Sequence, residues 1–263
     1  MACVATIARV PFTISHAAAV LPLRKLTRSR LPLAAMMVGS MSPDFAYFLP
    51  GDFDRVETHS IAGVFWFCWP ISLALWLLFV RVLEPPTSAL LPESWRARFA
   101  PSDPNLSLKT LGFASVAVIL GAITHLIWDS FTHRGTLVVN AIPALHAVAF
   151  HIDGWRIRWF VVLQHLSSVF GIVALAVWAW KLPPEPHARP SPFSISHVAR
   201  VRAVAVIIAA TLGLAIASFL FHADTWFVRR LFHLAIGGMT GLSLAWLGIA
   251  LWVRSVYTAN QRE

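Results

Sequence analysis

Long apolar runs separated by short polar stretches dominate the pattern of the chain. A helix needs about 20 mainly apolar residues to cross the hydrocarbon core of a bilayer. Five segments meet this requirement, so the pattern predicts an all-α fold, a polytopic helical membrane bundle with about five transmembrane helices. The predicted spans are Ile61–Val82, Leu111–Trp128, Val161–Trp180, Val204–Phe221 and Leu231–Val253.

Two apolar stretches near the amino terminus are too short to cross a membrane. Ile14–Leu23 and Leu31–Met41 are therefore predicted to form short buried or interfacial helices before the first span. Further along, Pro70 should kink the first span, which a packed bundle tolerates. The proline-rich stretch LPPEPHARPSP, Leu182–Pro192, is the best candidate for a domain boundary.

The composition agrees with a membrane protein. Of the 263 residues 57% are hydrophobic and 13% are charged, whereas soluble domains carry about twice that charge. The net charge is +9, but the 21 Lys and Arg residues are scattered among the apolar runs. This distribution favours anionic lipid headgroups over nucleic acid as the partner of the basic loops.

The order of the spans predicts that polar residues far apart in sequence lie on one side of the membrane. In an antiparallel arrangement, the first span begins on the side that holds residues 1–60. The second span ends on that side, and the third span begins there. The histidines and aspartates predicted to share this side are His16, Asp44, His59, His125, Asp129, His133 and His165.

The stretch GAITHLIWDSFTHRG carries the clearest chemical signal. Residues four apart lie one turn apart on the same helix face, so His125 and Asp129 are placed to bind one cation together. His133 lies a further turn along. Imidazole nitrogen and carboxylate oxygen form a common zinc ligand set, and Asp44 and His59 are the upstream candidates to complete it.

Each of these residues also has a purely structural interpretation. Asp129 is a residue type expected where a span leaves the membrane, Asp44 follows a proline as turn residues do, and His59 precedes a helix start. His16 is equally expected to cap or pack a short helix. The structural interpretation of Asp129 leaves His125, one turn deeper, unexplained.

Several motifs, in order, resemble a family of bacterial membrane proteins, domain of unknown function 4184. The resemblance covers roughly residues 11–180 and extends through LQHLSSVFG. Its main motifs are PFTISHAAAVLPLRK, LPLAAMMVGSMSPDFAYFLP, ETHSIAGVFWF and GAITHLIWDSFTHRG. It implies a multi-pass protein of the bacterial inner membrane. Together with the proline-rich stretch and the predicted spans, it divides the chain into four parts. These are an extension (1–10), a site-bearing domain with three spans (11–180), a linker (181–192) and a two-span helical hairpin (193–263).

The order His, Pro-Asp, Thr-His-Ser and His-x-x-x-Asp is also similar to that of membrane-bound metal-dependent hydrolases. More remotely, it resembles zinc phospholipase C and P1-type nucleases, which activate water against a phosphodiester. The resemblance implies that Asp44, His59, His125 and Asp129 bind one zinc ion and that Asp129 bridges to a second. It implies that His16 binds a further zinc.

This sequence departs from those enzymes in two respects. Nothing equivalent to their amino-terminal tryptophan ligand begins the chain, and no His-x-x-x-Glu pair follows His133. His133 and His165 stand in for that pair by position only, which favours one or two metal ions over three.

Three functions remain open from the sequence. The first is a zinc hydrolase that acts on a phosphodiester or a lipid-linked substrate, with His133 as the catalytic proton carrier. The second is a non-catalytic membrane protein that binds metal or handles protons or ions as part of a transport system. The third is a structural protein whose histidines only pack.

Overall fold

The computed structural model of the chain describes residues 13–28, 30–49, 51, 53–99, 106–152, 155–184, 191–223 and 227–260. The expected extension, residues 1–10, lies outside these ranges, as do residues 185–190 of the expected linker.

Helices make up nearly all of the described structure, and they are numbered here along the chain. The first is a 3₁₀ helix, Thr13–Val20, followed by α1 Leu21–Leu26, α2 Leu33–Met41 and a second 3₁₀ helix, Ser42–Phe48. The remaining helices are α3 Arg55–Thr58, α4 Ile61–Leu90, α5 Glu93–Arg96, α6 Leu108–Thr132, α7 Leu137–Ala141, α8 Pro143–His146, α9 Trp159–Lys181, α10 His197–Phe221 and α11 Phe227–Asn260.

Within the described residues, five segments are long and apolar enough to cross a membrane, which agrees with the predicted number and confirms the all-α membrane class. They are Ile61–Leu90, Leu108–Ala141, Trp159–Lys181, His197–Phe221 and Arg229–Val256. Helix α4 continues past Pro70, and it contains π-helical segments at Val64–Cys68 and Phe79–Leu83.

Serine side chains begin three of the long helices. The hydroxyl oxygens of Ser60, Ser107 and Ser196 each accept a hydrogen bond from the backbone N–H three residues later. Such a bond satisfies one of the free N–H groups of a helix start. Ser60 therefore fixes where α4 begins, immediately after His59.

A β-hairpin lies in the connection between the second and third spans, although the sequence pattern predicted no strand there. Strands β1 Val148–Ile152 and β2 Trp155–Arg158 pair antiparallel, with Phe150 opposite Ile157 and His151 opposite Arg156. Strands this short give little alternation of apolar and polar residues to recognise. The hairpin leads directly into α9.

The chain forms two compact units. The first unit comprises residues 1–76 and 106–180, and the second comprises residues 77–105 and 181–263. The carboxyl-terminal end of α4 and the residues that follow it therefore group with the last two spans.

A close helix crossing holds the first unit together. Helix α2 packs against α6, and glycines occupy the crossing on both sides. A Cβ atom at Gly39 would lie 2.2 Å from the carbonyl oxygen of Val118, and one at Gly121 would lie 2.2 Å from that of Met36. Only glycine permits this approach. The crossing places the end of α2 beside the middle of α6.

Glycines also bring the two helices of the second unit together. A Cβ atom at Gly237 of α11 would lie 2.5 Å from the carbonyl oxygen of Leu214, and one at Gly241 would lie 2.5 Å from that of Ala210. In the same unit, the indole Nε1–H of Trp246 donates to the hydroxyl of Thr87 at 2.6 Å.

Candidate metal centre

Helix α6 presents His125 and Asp129 on its buried face. The exposed fraction is 0% for His125 and 5% for Asp129, and His125 Nε2 lies 3.5 Å from Asp129 Oδ2. The same face carries the small residues Gly121 and Ala122, which let α2 and α4 pack closely. Asp129 is therefore an interior residue, which excludes its interpretation as an exposed residue at the end of a span.

The ring of His125 is fixed by the helix that crosses it. Its Nδ1 lies 2.8 Å from the backbone carbonyl oxygen of Ser40, near the end of α2. A carbonyl oxygen can only accept, so Nδ1 carries the proton. In the neutral ring the Nε2 lone pair then faces Asp129 Oδ2 and Asp44 Oδ1, the latter at 3.9 Å.

Asp44 enters the cluster from the second 3₁₀ helix. Its side chain is buried, and its Oδ2 accepts a hydrogen bond of 2.9 Å from the hydroxyl of Thr13. Asp44 is thus neither an exposed turn residue nor a helix cap. Its other oxygen, Oδ1, is directed towards the histidines, with His59 Nε2 at 3.3 Å.

His59 repeats the arrangement of His125. Its Nδ1 lies 3.0 Å from the backbone carbonyl oxygen of Arg55, one turn earlier in α3. Its Nε2 therefore faces the two carboxylates, at 3.3 Å from Asp44 Oδ1 and 3.7 Å from Asp129 Oδ2. Neither His59 Nε2 nor His125 Nε2 has a hydrogen-bond partner among the described residues, although both atoms are buried.

His16 reaches the cluster from the first 3₁₀ helix. Its ring stacks on that of His125 with the centroids 3.8 Å apart, and its Nε2 lies 3.6 Å from Asp129 Oδ1. The ring of Trp128 lies on another side of it, with the centroids 5.5 Å apart. His16 is therefore part of the cluster and faces the Asp129 oxygen that is turned away from His59 and His125.

His133 lies just beyond the end of α6. Its Nδ1 is 3.3 Å from Asp129 Oδ1, and its Nε2 is 3.3 Å from the amide nitrogen of Gln164. An amide nitrogen donates, so in this arrangement Nε2 accepts and Nδ1 carries the proton. This N–H group donates to the hydroxyl oxygen of Thr132, 3.0 Å away, and Asp129 Oδ1 lies close by without a hydrogen-bond partner among the described residues.

The structure brings together six of the seven residues that the sequence singled out. The exception is His165, whose side chain is exposed on α9. Its neighbour Gln164 is buried and contacts His133 instead. One residue is about 100° of rotation on a helix. Because α9 is apolar on most of its surface, the sequence did not show which of the two faces inward.

Arg55 is the residue that the sequence analysis missed. Its Nη2 donates to Asp129 Oδ2 at 2.9 Å, and 36% of its side chain is exposed. The signal was present, because Arg55 precedes His59 by four residues and the two therefore lie on one helix face. Counting only the residues that the structure describes, the cluster thus contains two carboxylates, one guanidinium and four imidazoles.

For the cluster residues that lie outside the spans, the surroundings favour the protonation states that can bind a metal ion. Burial and, to a lesser extent, the nearby His125 lower the pKa of His16 to about 3. Burial also lowers the pKa of His59, although Asp44 opposes this effect. Burial alone would raise the pKa of Asp44, but His125 and His59 outweigh it and lower the value to about 2. Neutral imidazoles and ionised carboxylates are the forms that bind metals.

The spacing of the cluster fits a divalent ion. A tetrahedral ion with ligand bonds of 2.0–2.2 Å separates its ligand atoms by about 3.3–3.6 Å. The two histidine Nε2 atoms of His59 and His125 lie 3.3–3.9 Å from the facing oxygens of Asp44 and Asp129. The buried Nε2 lone pairs face carboxylate oxygens, and these groups repel each other unless a cation lies between them. The donor set therefore fits a metal ion.

The chain matches the family described as "Domain of unknown function (DUF4184)" over residues 10–251, and it belongs to this family. The match extends beyond the resemblance recognised in the sequence, because it also includes the fourth span and most of the fifth. No curated protein and no solved structure matches the chain.

Proposed function

We propose that this protein is a zinc-dependent hydrolase of the bacterial inner membrane. One observation carries the proposal. The Nε2 atoms of His59 and His125 are buried, have no hydrogen-bond partner among the described residues, and face the carboxylates of Asp44 and Asp129. In both rings the Nδ1–H group donates a hydrogen bond to a backbone carbonyl oxygen, which leaves Nε2 free to bind an ion. Metal-binding histidines in proteins are commonly oriented in this way.

The proposal gives the residues distinct roles. Asp44, His59, His125 and Asp129 hold one ion, and the second oxygen of Asp129 faces His16 and His133. When bound, zinc supplies Lewis-acid chemistry, because it makes water more acidic and polarises a phosphoryl or acyl oxygen. His133 is the proton carrier, because its Nδ1 lies 3.3 Å from Asp129 Oδ1 and its ring is partly accessible at the edge of the cluster. His16 is a ligand of a second ion.

A phosphodiester is the substrate class that this arrangement favours. The order of the motifs resembles that of membrane-bound metal-dependent hydrolases and, remotely, of zinc phospholipase C and P1-type nucleases. Arg55 adds a half-exposed guanidinium at the cluster, which is a suitable partner for an anionic phosphate group.

A second candidate function is metal binding or proton handling without catalysis. The observation that favours it is the chain of contacts from His16 through Asp129 to His133, in which one carboxylate oxygen faces two imidazoles. Such a chain can relay a proton without hydrolysing a substrate.

Turnover of bis-nitrophenyl phosphate by the purified, zinc-loaded chain separates the two candidates. The hydrolase proposal expects zinc-dependent release of nitrophenol that Asp44→Asn abolishes. Glu57→Gln is the matched control, because Glu57 is an exposed residue of α3, and it should leave turnover unchanged. Stoichiometric zinc without turnover of this or any other phosphodiester would reject the hydrolase and favour the non-catalytic function.

A further inference from the structure

An open, groove-like cavity of about 480 Å³ lies next to the His–Asp cluster, in the first unit. It is within the size range of small-molecule sites. The first 3₁₀ helix, α6 and α9 line it. The lining residues are Ala19, Thr124, Ile127, Trp128, Phe131, Thr132, Leu163 and Ser167.

Each of the three elements that line the cavity also carries a residue of the cluster or a contact to it. On the first 3₁₀ helix, Ala19 follows His16 by three residues, which is one turn of such a helix. On α6, Trp128 lines the cavity while its ring also contacts His16. On α9, Leu163 lines the cavity and the adjacent Gln164 contacts His133. A molecule in the cavity would therefore extend to the edge of the cluster.

The walls of the cavity are suited to hydrocarbon. The three hydroxyl groups among the lining residues all donate to backbone carbonyls of their own helices. Thr124 donates to Gly121, Thr132 to Trp128 and Ser167 to Gln164. The indole N–H of Trp128 donates to Ser167. With these donors engaged, the lining offers methyl groups and aromatic rings, so a polar ligand would lose its hydrogen bonds to water on entry.

The position of the cavity gives hydrocarbon access to it. Its residues on α6 and α9 lie inside two segments that are long and apolar enough to cross a membrane. Around it, large apolar side chains such as Ile127 and Phe131 are about half exposed. In a bilayer the neighbours of such side chains are lipid chains.

We infer that the cavity binds one hydrocarbon chain of a membrane amphiphile whose phosphate group lies at the His–Asp cluster. The choice of a phosphate head rests on the proposed function, since it combines the guanidinium of Arg55 with a divalent ion. Binding of the chain rests on the cavity alone. The substrate of the proposed hydrolase is then a lipid phosphoester, held by its chain in the membrane segment and by its head at the cluster.

Photolabelling tests the chain-binding part without metal or turnover. The full chain in dodecyl maltoside micelles, with a chelator present, is irradiated with phosphatidic acid that carries a diazirine in one acyl chain. We expect labelled peptides to map to the cavity-lining stretches of α6 and α9. Leu163→Trp fills the cavity and should reduce this labelling roughly tenfold. Leu166 lies on the same helix, and its side chain is 61% exposed. Leu166→Trp should therefore leave the labelling unchanged.

A variant that fails to fold would not obscure the result, because labelling of the unaltered chain is decisive by itself. Labels spread evenly over all the exposed apolar helices would overturn the inference. Equal labelling of the two tryptophan variants would also overturn it.

The head-group part is tested in the zinc-loaded protein with a diacylglycerol that carries the same diazirine chain. Stronger labelling by phosphatidic acid, lost in Arg55→Gln, is the expected result, and equal labelling by the two lipids would contradict a phosphate at the cluster. The failures remain distinguishable. Hydrolysis of a soluble phosphodiester without cavity labelling would reject lipid binding in the cavity but support the hydrolase. Cavity labelling without any hydrolysis would support binding of the chain but reject the hydrolase.

Discussion

The imidazole rings of His16 and His125 stack with their centroids 3.8 Å apart and their planes inclined by 20°. This contact joins the first 3₁₀ helix to the buried face of α6. It also means that the two rings compete for positive charge, because a proton on one opposes a proton on the other. Burial is the larger cause, and together with this repulsion it lowers the pKa of His16, so the ring is neutral inside the cluster.

The depressed pKa of His16 predicts that acid destabilises the metal-free fold. An unfolded histidine binds its proton below pH 6.5, whereas folded His16 does so only near pH 3. The unfolded state therefore binds more protons between these values, and stability falls as the pH falls through this window. Thermal unfolding of the chelated protein in detergent should show this loss.

His16→Asn is the variant that isolates this contribution. Its stability should fall less steeply below pH 6.5, by up to about 1.4 kcal/mol per pH unit. An identical pH dependence in the variant and the unaltered chain would show that His16 is not held neutral by the fold.

The glycine crossing of α2 and α6 predicts a large difference between two identical substitutions on one helix. Gly121→Ala would place a methyl group 2.2 Å from the carbonyl oxygen of Met36, so we expect a loss of about 1–3 kcal/mol and impaired metal binding. Gly112→Ala, also in α6, meets no atom within 4 Å and should be neutral or stabilising by up to about 1 kcal/mol. Thermal midpoints in detergent measure both, and equal midpoints would show that the crossing is looser than described.

The long helices and much of the candidate site follow from the sequence for simple physical reasons. Apolar runs of sufficient length predict spans. The spacing of His125 and Asp129 fixes their common face, and the alternation of span directions brings Asp44 and His59 towards them. None of these steps requires knowledge of how any helix is rotated about its axis.

Features that depend on helix rotation or on close contacts could not be predicted. Gln164, and not His165, faces the cluster because of the rotation of α9, which a nearly uniform apolar surface does not encode. The approach of Gly39 to α6 depends on which helix crosses it. The spacing of Arg55 and His59 indicates a shared helix face, but the contact of the guanidinium with Asp129 depends on how that face meets α6.

The contact of Arg55 with Asp129 predicts that zinc compensates for the loss of the guanidinium. In the metal-free protein, Arg55→Gln removes the charged partner of a buried carboxylate and should cost about 1–3 kcal/mol. A bound divalent ion supplies positive charge at the same carboxylate, so added zinc should raise the thermal midpoint of this variant more than that of the unaltered chain.

Arg134→Gln is the control for this experiment, because Arg134 is exposed just after the end of α6. It should change neither the midpoint nor its response to zinc. If zinc stabilises Arg55→Gln no more than the control, the ion does not bind at Asp129.

The geometry of His133 predicts a separation of turnover from metal binding. His133 contacts Asp129 Oδ1, the oxygen that faces away from His59 and His125. His133→Asn should therefore keep zinc while lowering turnover of bis-nitrophenyl phosphate by roughly 10²-fold or more, the usual effect of removing a proton carrier. His165→Asn, in an exposed histidine of α9, should leave turnover unchanged. Loss of zinc in His133→Asn would instead make His133 a ligand.

The most direct test of the central claim is the metal content of the purified chain, measured by inductively coupled plasma mass spectrometry. The claim is that His59, His125, Asp44 and Asp129 together hold a divalent ion. We expect about one or two zinc ions per chain, lost in His125→Ala and Asp129→Asn when these variants keep their helical circular dichroism, and retained in His165→Ala. The absence of any bound metal, or the same metal content in all four proteins, would contradict the claim.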